Sequence, residues 1–150
     1  LQGYVHDEGA AMLGGISGHA GLFSNSYEVA IVLQAMIQKG KYDDFKLFSQ
    51  DSFDQFNFCY FCDKENRSGV GFDKPQIEGR HGSTFGGVSS ESFGHYGYTG
   101  SMAWADPDKN IIFIFLSNRT YPTRENTLLQ TSNTRTRSQE IVYKSLLDYK

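Results

Sequence analysis

Residues 94–118 decide the fold of this chain, and they read GHYGYTGSMAWADPDKNIIFIFLSN. Alternation of period two predicts a strand over 95–105 that borders a polar surface. Residues 106–110 predict a turn, because proline presets φ and Asp and Asn side chains bond their own backbone. The apolar run 111–116 predicts a second strand, buried on both faces and central in the sheet. The segment therefore predicts a β-hairpin, with glycines that either admit a ligand or mark a bend.

The alternation also assigns the side chains of the first strand to two faces. One face is predicted to carry Tyr96, Tyr98, Met102 and Trp104, and the other His95, Gly97, Thr99, Ser101 and Ala103.

Helical patterns lie on both sides of this hairpin. Residues 26–39 predict a helix capped by Asn25 and ended by Gly40 as its C′ residue; its apolar stripe is Val29, Val32, Leu33, Met36 and Ile37. Residues 49–58 predict a short helix capped by Ser49, with Phe53 and Phe56 inward. Residues 134–148 predict a last helix, whose inward face is Ile141, Val142, Ser145 and Leu146.

These elements together predict an α+β fold. The expected antiparallel sheet is built from 69–73, 95–105 and 110–118, flanked by helices 26–39 and 134–148, the second of which covers a sheet face. Residues 1–23, 59–66, 75–92 and 120–137 are expected to be irregular. No repeat or internal boundary is visible, so residues 1–150 are expected to form part of one domain.

Composition narrows the function classes. The chain is 39% hydrophobic with a net charge of −3, and it has no basic stripe, which argues against nucleic acid as a partner. No apolar run approaches the roughly 20 residues of a membrane span. Because it begins with Leu1 rather than Met, we expect a piece of a longer or processed protein.

The cysteines and histidines do not form a metal pattern. Cys59 and Cys62 could be a redox pair, half of a zinc site or a structural pair; without a second pair, the structural reading is favoured. The four histidines are His6, His19, His81 and His95, and they lack ligand spacing. No metal or other cofactor is therefore expected.

The residues alone leave more than one possible role for each of three histidines. His95 opens a strand beside flexible backbone, where either a general acid or a plain surface histidine fits. His19 lies among glycines that favour a structural role, and His6 could pair with the adjacent Asp7. Ser17 does not fit the Gly-x-Ser-x-Gly motif of a serine nucleophile, because His19 stands where that motif needs its last glycine.

Two stretches of the chain resemble a known enzyme superfamily. Residues 4–24, YVHDEGAAMLGGISGHAGLFS, and the triplet His95-Tyr96-Gly97 resemble signatures of serine β-lactamases, D-alanyl-D-alanine peptidases and family VIII esterases. The helix at 26–39 and the strand end at 117–119 follow in the family's order. The nearest likeness is to β-lactamase-like domains that in some bacteria follow a glycosidase domain resembling family 3 β-N-acetylglucosaminidases.

The resemblance implies a β-lactamase/transpeptidase-like fold of which this chain is the C-terminal portion. It implies that His95 assists proton transfer or holds a substrate carboxylate, and that Tyr96, Gly97 and Tyr98 contact substrate, the Tyr98 N–H as an oxyanion donor. The family's Ser-x-x-Lys and Tyr-x-Asn boxes are absent from the chain. The N-terminal half of the domain is then the implied partner, a peptidoglycan-like or other small molecule the substrate, and the location periplasmic or otherwise extracytoplasmic.

Three classes of function follow from these expectations. The chain is the cleft wall of a serine hydrolase, inactive by itself, a non-catalytic binding or accessory module, or a structural C-terminal domain attached to a bacterial glycosidase. A Ser-x-x-Lys box in the residues before Leu1 would separate the first class from the other two.

Overall fold

The computed structural model describes residues 2–64, 66–75 and 82–147. Residues 76–81, which include His81 and lie within the predicted 75–92 loop, are therefore outside the described residues, as is Asp148. The elements are α1 Glu8–Met12, α2 Ser26–Ile37, β1 Lys41–Tyr42, β2 Phe45–Lys46, α3 Gln50–Asn57, a 3-10 turn Cys62–Lys64, β3 Phe93–Tyr96, β4 Met102–Asp106, β5 Ile111–Phe115, α4 Leu128–Thr131 and α5 Thr134–Leu147. The α+β class with an antiparallel sheet is confirmed.

The prediction of one strand over 95–105 is wrong, because this stretch contains β3, a turn at 97–101 and β4. The two strands pair antiparallel, with His95 opposite Ala103 and Tyr96 opposite Met102. Gly100 adopts φ +97°, which a residue with a side chain rarely adopts. The turn has five residues, so odd and even positions keep their faces across it and the sequence alternation does not reveal the reversal.

β4 is the central strand of the three, and β5 lies at the edge of the described sheet. The expectation that 111–116 is central is therefore wrong for the described residues, although β5 itself is confirmed. The predicted strand 69–73 is also wrong: only single bridges join Asp73 to Ser68 and to Gly94. A turn at Gly71, with φ +98°, interrupts the extended backbone there.

The helix α2 begins at Ser26 as the sequence predicts, but it ends at Ile37, two residues before the predicted end. The Asn25 side chain accepts a hydrogen bond from the Glu28 N–H at 3.0 Å. At the other end Lys39 adopts φ 54° as C′, and Gly40 is C″, donating to the Ala35 carbonyl at 2.8 Å. This six-to-one bond closes a Schellman motif, so the placement of Gly40 at C′ is wrong by one residue.

One face of the sheet packs against α2. Its core is Leu33, Phe93 and Ala105, with Val29, Met36, Ile37, Phe53, Phe72, Ala103, Ile112 and Ile114 around it. Phe53 of α3 lies edge-on to Phe93 at 5.4 Å, and the Ser49 cap is confirmed. Phe56, predicted inward, is 57% exposed. Val32, predicted on the apolar stripe of α2, is 48% exposed. The other four stripe residues face this core and fix the sheet that carries residues 93–106.

The other face of the sheet carries Met102, Trp104 and Phe113, and α5 contacts two further residues of that face. The helix meets the sheet through Arg135, stacked on Tyr96, and through Tyr143, which donates to the buried Asp106 at 3.2 Å. The position of α5 over a sheet face agrees with the prediction. Its predicted inward residues do not: Ile141, Val142, Ser145 and Leu146 are all exposed, while Gln139 and Tyr143 are buried.

Cys59 and Cys62 form a disulfide, so neither is a free thiol or a zinc ligand. In the described part of the chain, no helix is both long enough and apolar enough to cross a bilayer.

Candidate active-site wall

The turn between β3 and β4 is the structural centre of the candidate site. Gly97 donates to the Ser101 carbonyl at 2.8 Å, and Gly100 donates to the Gly97 carbonyl at 3.0 Å. Tyr98 between them is exposed, and its N–H has no acceptor among the described residues. The turn therefore leaves the Tyr98 N–H without an acceptor among the described residues, as it does the N–H groups of Thr99 and Ser101.

The segment after β5 supports this turn from behind. Ser117 donates its hydroxyl to the Thr99 carbonyl at 3.2 Å, and Arg119 donates its backbone N–H to the same carbonyl at 2.8 Å. The Arg119 side chain donates to the Tyr98 carbonyl at 2.9 Å, and its guanidinium lies 4.7 Å from the centre of the Tyr98 ring. These contacts hold Tyr98 in place before any ligand arrives.

His95 lies at the end of β3 with an exposed side chain. Its Nδ1 is 2.7 Å from the Tyr96 carbonyl oxygen. A carbonyl only accepts hydrogen bonds, so Nδ1 must carry the proton in this contact. The neutral ring then keeps the lone pair of Nε2 free, which is the form that can accept a proton from a reacting group.

Tyr96 points to the opposite sheet face from His95, where it lines a cleft of about 270 Å³. Its hydroxyl donates to the Ser83 carbonyl, and the Arg135 guanidinium lies 4.2 Å from the ring centre. Burial raises the pKa of Tyr96, although Arg135 acts in the opposite direction. The phenol therefore stays protonated and serves as a hydrogen-bond donor.

Two arginines give this cleft its charge. Arg67 donates to the Lys74 carbonyl at 2.9 Å and to the Ser83 hydroxyl at 3.2 Å, and Arg135 donates to the Gly100 carbonyl at 3.2 Å. No acidic residue is among the described residues that line the cleft, and neither guanidinium forms an ion pair with a described carboxylate. Sequence reasoning missed both arginines, because each lies in a polar stretch without a motif.

The N-terminal segment packs beside the turn. The His6 ring lies 5.7 Å from that of Tyr98. Asp7 pairs with His19 at 3.0 Å rather than with the adjacent His6, and His19 contacts the Ser17 hydroxyl at 2.7 Å. The Ala10 N–H, followed by His19, lowers the pKa of Asp7. His19 thus ties the glycine-rich segment to the cap of α1.

Of the predicted site residues, Gly97 and Tyr98 belong to one exposed turn and His95 lies next to it, while the Tyr96 side chain lies across the sheet. Within the described residues, no group of histidine, cysteine, aspartate and glutamate side chains could hold a metal ion.

Comparisons with known proteins identify the family of the chain. The family model described as Beta-lactamase matches residues 2–133. A protein named putative D-alanyl-D-alanine carboxypeptidase from Escherichia coli (strain K12) is 37% identical over 124 residues, covering 79% of this chain and 27% of that protein. A protein of the same name from Salmonella enteritidis PT4 (strain P125109) is 36% identical over 123 residues, covering 79% and 27%.

The chain thus spans about a quarter of the length of these relatives. No solved structure gave a significant match. The family match covers most of the chain, including α2, the β3–β4 turn and the His95 triplet, and on this ground the chain belongs to the beta-lactamase family.

Proposed function

We propose that this chain is the C-terminal part of a serine hydrolase domain and supplies one wall of its substrate cleft. The observation that carries the proposal is the turn at 97–101, with a free Tyr98 N–H held in place by Ser117 and Arg119. A fixed backbone donor is what stabilises the oxyanion formed when a nucleophile attacks a carbonyl. Family membership supports a hydrolase of the β-lactamase and penicillin-binding type.

The proposed roles follow the geometry of each residue. His95 takes or returns a proton through Nε2, Tyr98 donates its N–H to the oxyanion, and Gly97 leaves room for substrate beside the strand. The serine nucleophile comes from the N-terminal half of the domain, because no Ser-x-x-Lys box is present in this chain. That half would be the partner of this chain, and residues 1–150 would form no separate domain.

The arginine cleft supports a substrate with a free carboxylate. Arg135 touches both the cleft and the Gly100 carbonyl, so an anion held there lies next to the turn. Guanidinium groups without an acidic partner favour a carboxylate. The relatives' name, D-alanyl-D-alanine carboxypeptidase, fits a peptide substrate of that kind. The esterase and glycosidase-linked alternatives of the sequence analysis remain predictions.

The test is a longer protein that contains this chain and the residues preceding it. Hydrolysis of a D-alanyl-D-alanine peptide should lose about 10² to 10⁴ in kcat/KM in the His95→Ala variant, the usual worth of a proton-transfer group. Stability should change by only about 0.5 kcal/mol, because the side chain is exposed. His95→Lys should restore part of the rate, and an amidated peptide terminus should raise KM.

Two results would contradict the proposal. A normal kcat/KM in His95→Ala would make His95 a surface residue at a strand end. A wild-type protein that binds the peptide without cleaving it would favour the accessory-module alternative.

A further inference from the structure

The disulfide between Cys59 and Cys62 takes no part in the proposed hydrolase site. Both cysteines are partly exposed, and they line a cleft of about 730 Å³ together with Asn57, Lys74 and Glu91. We propose that this disulfide is a thiol–disulfide exchange site, which a dithiol reductant opens while the surrounding structure stays folded.

The bridge contributes little to holding the fold together. It joins residues only three positions apart, and the stabilisation that a disulfide gives through chain entropy falls as the closed loop shortens. The loop has its own backbone bonds: Lys64 and Asn66 both donate to the Phe61 carbonyl, at 2.9 and 3.2 Å. Opening the bridge therefore leaves these constraints in place.

The reduced Cys59 thiol also has a hydrogen-bond acceptor that is already in position. Sγ of Cys59 lies 3.3 Å from the Asn66 carbonyl oxygen. In the disulfide this sulfur has no proton to donate, but as a thiol it can donate to that oxygen without moving. A contact of this kind stabilises the reduced state relative to the oxidised one, and this makes a disulfide easier to reduce.

The exchange needs only a dithiol as co-reactant. A thiolate of the reductant attacks one sulfur of the Cys59–Cys62 bond, forming a mixed disulfide and releasing the other cysteine as a thiolate. The second thiol of the reductant then displaces the attached cysteine and closes its own disulfide. Two electrons and two protons pass to the protein, which ends with two thiols.

The bridge lies among exposed aromatic rings, which suit contact with a dithiol protein. Phe58, Tyr60 and Phe61 are each more than half exposed, and the rings of Phe58 and Tyr60 lie 4.9 Å apart, edge to face. A small dithiol compound could reach the same sulfur atoms through the cleft. The experiment therefore uses both kinds of reductant.

The native chain is incubated either with dithiothreitol or with thioredoxin, its reductase and NADPH, then alkylated with iodoacetamide and weighed by mass spectrometry. The chain has two cysteines, so reduction adds two carbamidomethyl groups. We expect both groups to be added without denaturant, because both cysteines are partly exposed. The near-UV circular dichroism of Trp104 should persist. Labelling in the dithiothreitol arm alone would identify small dithiols as the reductant.

Two results would overturn the proposal. Labelling by either reductant only after denaturant is added would show that the bridge is protected in the folded chain. Loss of the Trp104 signal on reduction, or failure of the Cys59→Ala/Cys62→Ala double variant to show the wild-type unfolding transition, would make the bridge a structural requirement.

Discussion

The Asp106→Asn substitution should lower the free energy of unfolding by about 3 kcal/mol. The Asp106 carboxylate is fully buried. It accepts four hydrogen bonds: from the Ser89 N–H at 2.9 Å, the Ser89 hydroxyl at 2.6 Å, the Lys109 N–H at 3.2 Å and the Tyr143 hydroxyl at 3.2 Å. Hydroxyl groups can rotate to accept from an amide, but backbone N–H groups cannot. Either orientation of Asn therefore sets its NH₂ against one backbone donor.

The magnitude follows from these contacts. One buried donor without an acceptor costs about 1 to 3 kcal/mol, and the remaining bonds weaken because the acceptor is no longer charged. For about 150 residues, a loss of about 3 kcal/mol corresponds to a melting temperature lower by roughly 6 to 12 °C. Urea unfolding followed by the fluorescence of the buried Trp104, two residues away on β4, measures the change directly.

Asp108→Asn is the matched control, because it makes the same chemical change two positions along the chain, at a residue that is exposed. It should stay within about 0.5 kcal/mol of the wild type. If Asp106→Asn unfolds at the same urea concentration as Asp108→Asn, the buried carboxylate does not hold the 82–89 segment and α5 on the sheet.

Three further outcomes are expected. Gly100→Ala should cost about 1 to 3 kcal/mol in urea unfolding, because its Cβ would overlap Leu129; Gly86→Ala, equally strained in φ but in open space, should cost less. Burial, followed by Asp106, raises the pKa of Tyr143 above the usual tyrosine value, so stability should fall as pH rises above about 10, and Tyr143→Phe should reduce that slope. A fluorophosphonate probe should leave every serine of this chain unmodified by intact mass, and a stoichiometric adduct would refute the absence of a nucleophile.

The features predicted well from the sequence are those set by local chemistry. The α2 helix has both a side-chain cap at Asn25 and an apolar stripe, and these two signals agree. The run 111–115 is short and contains only β-branched and aromatic apolar residues, and it forms the strand β5. The triplet at 95–97 carries a resemblance that depends on residue types alone, and its role in a site stays a prediction.

The features predicted poorly depend on contacts between distant residues. In α5 the buried side chains are Gln139 and Tyr143, because Gln139 accepts from the Phe85 N–H and Tyr143 reaches Asp106. A prediction that places the apolar residues of α5 against the sheet therefore selects the wrong face of the helix. Arg135 was missed for the same reason, since its position over Tyr96 depends on how α5 crosses the sheet.

The open side of β5 has a practical consequence for work with this chain. The strand reads IIFIF, with no charge and no proline, and its outer edge pairs with no other strand among the described residues. Such an edge offers a row of backbone donors and acceptors to any other extended chain. Aggregation of the isolated chain should therefore increase with protein concentration, and Leu116→Lys, at the exposed position that follows the strand, should suppress it.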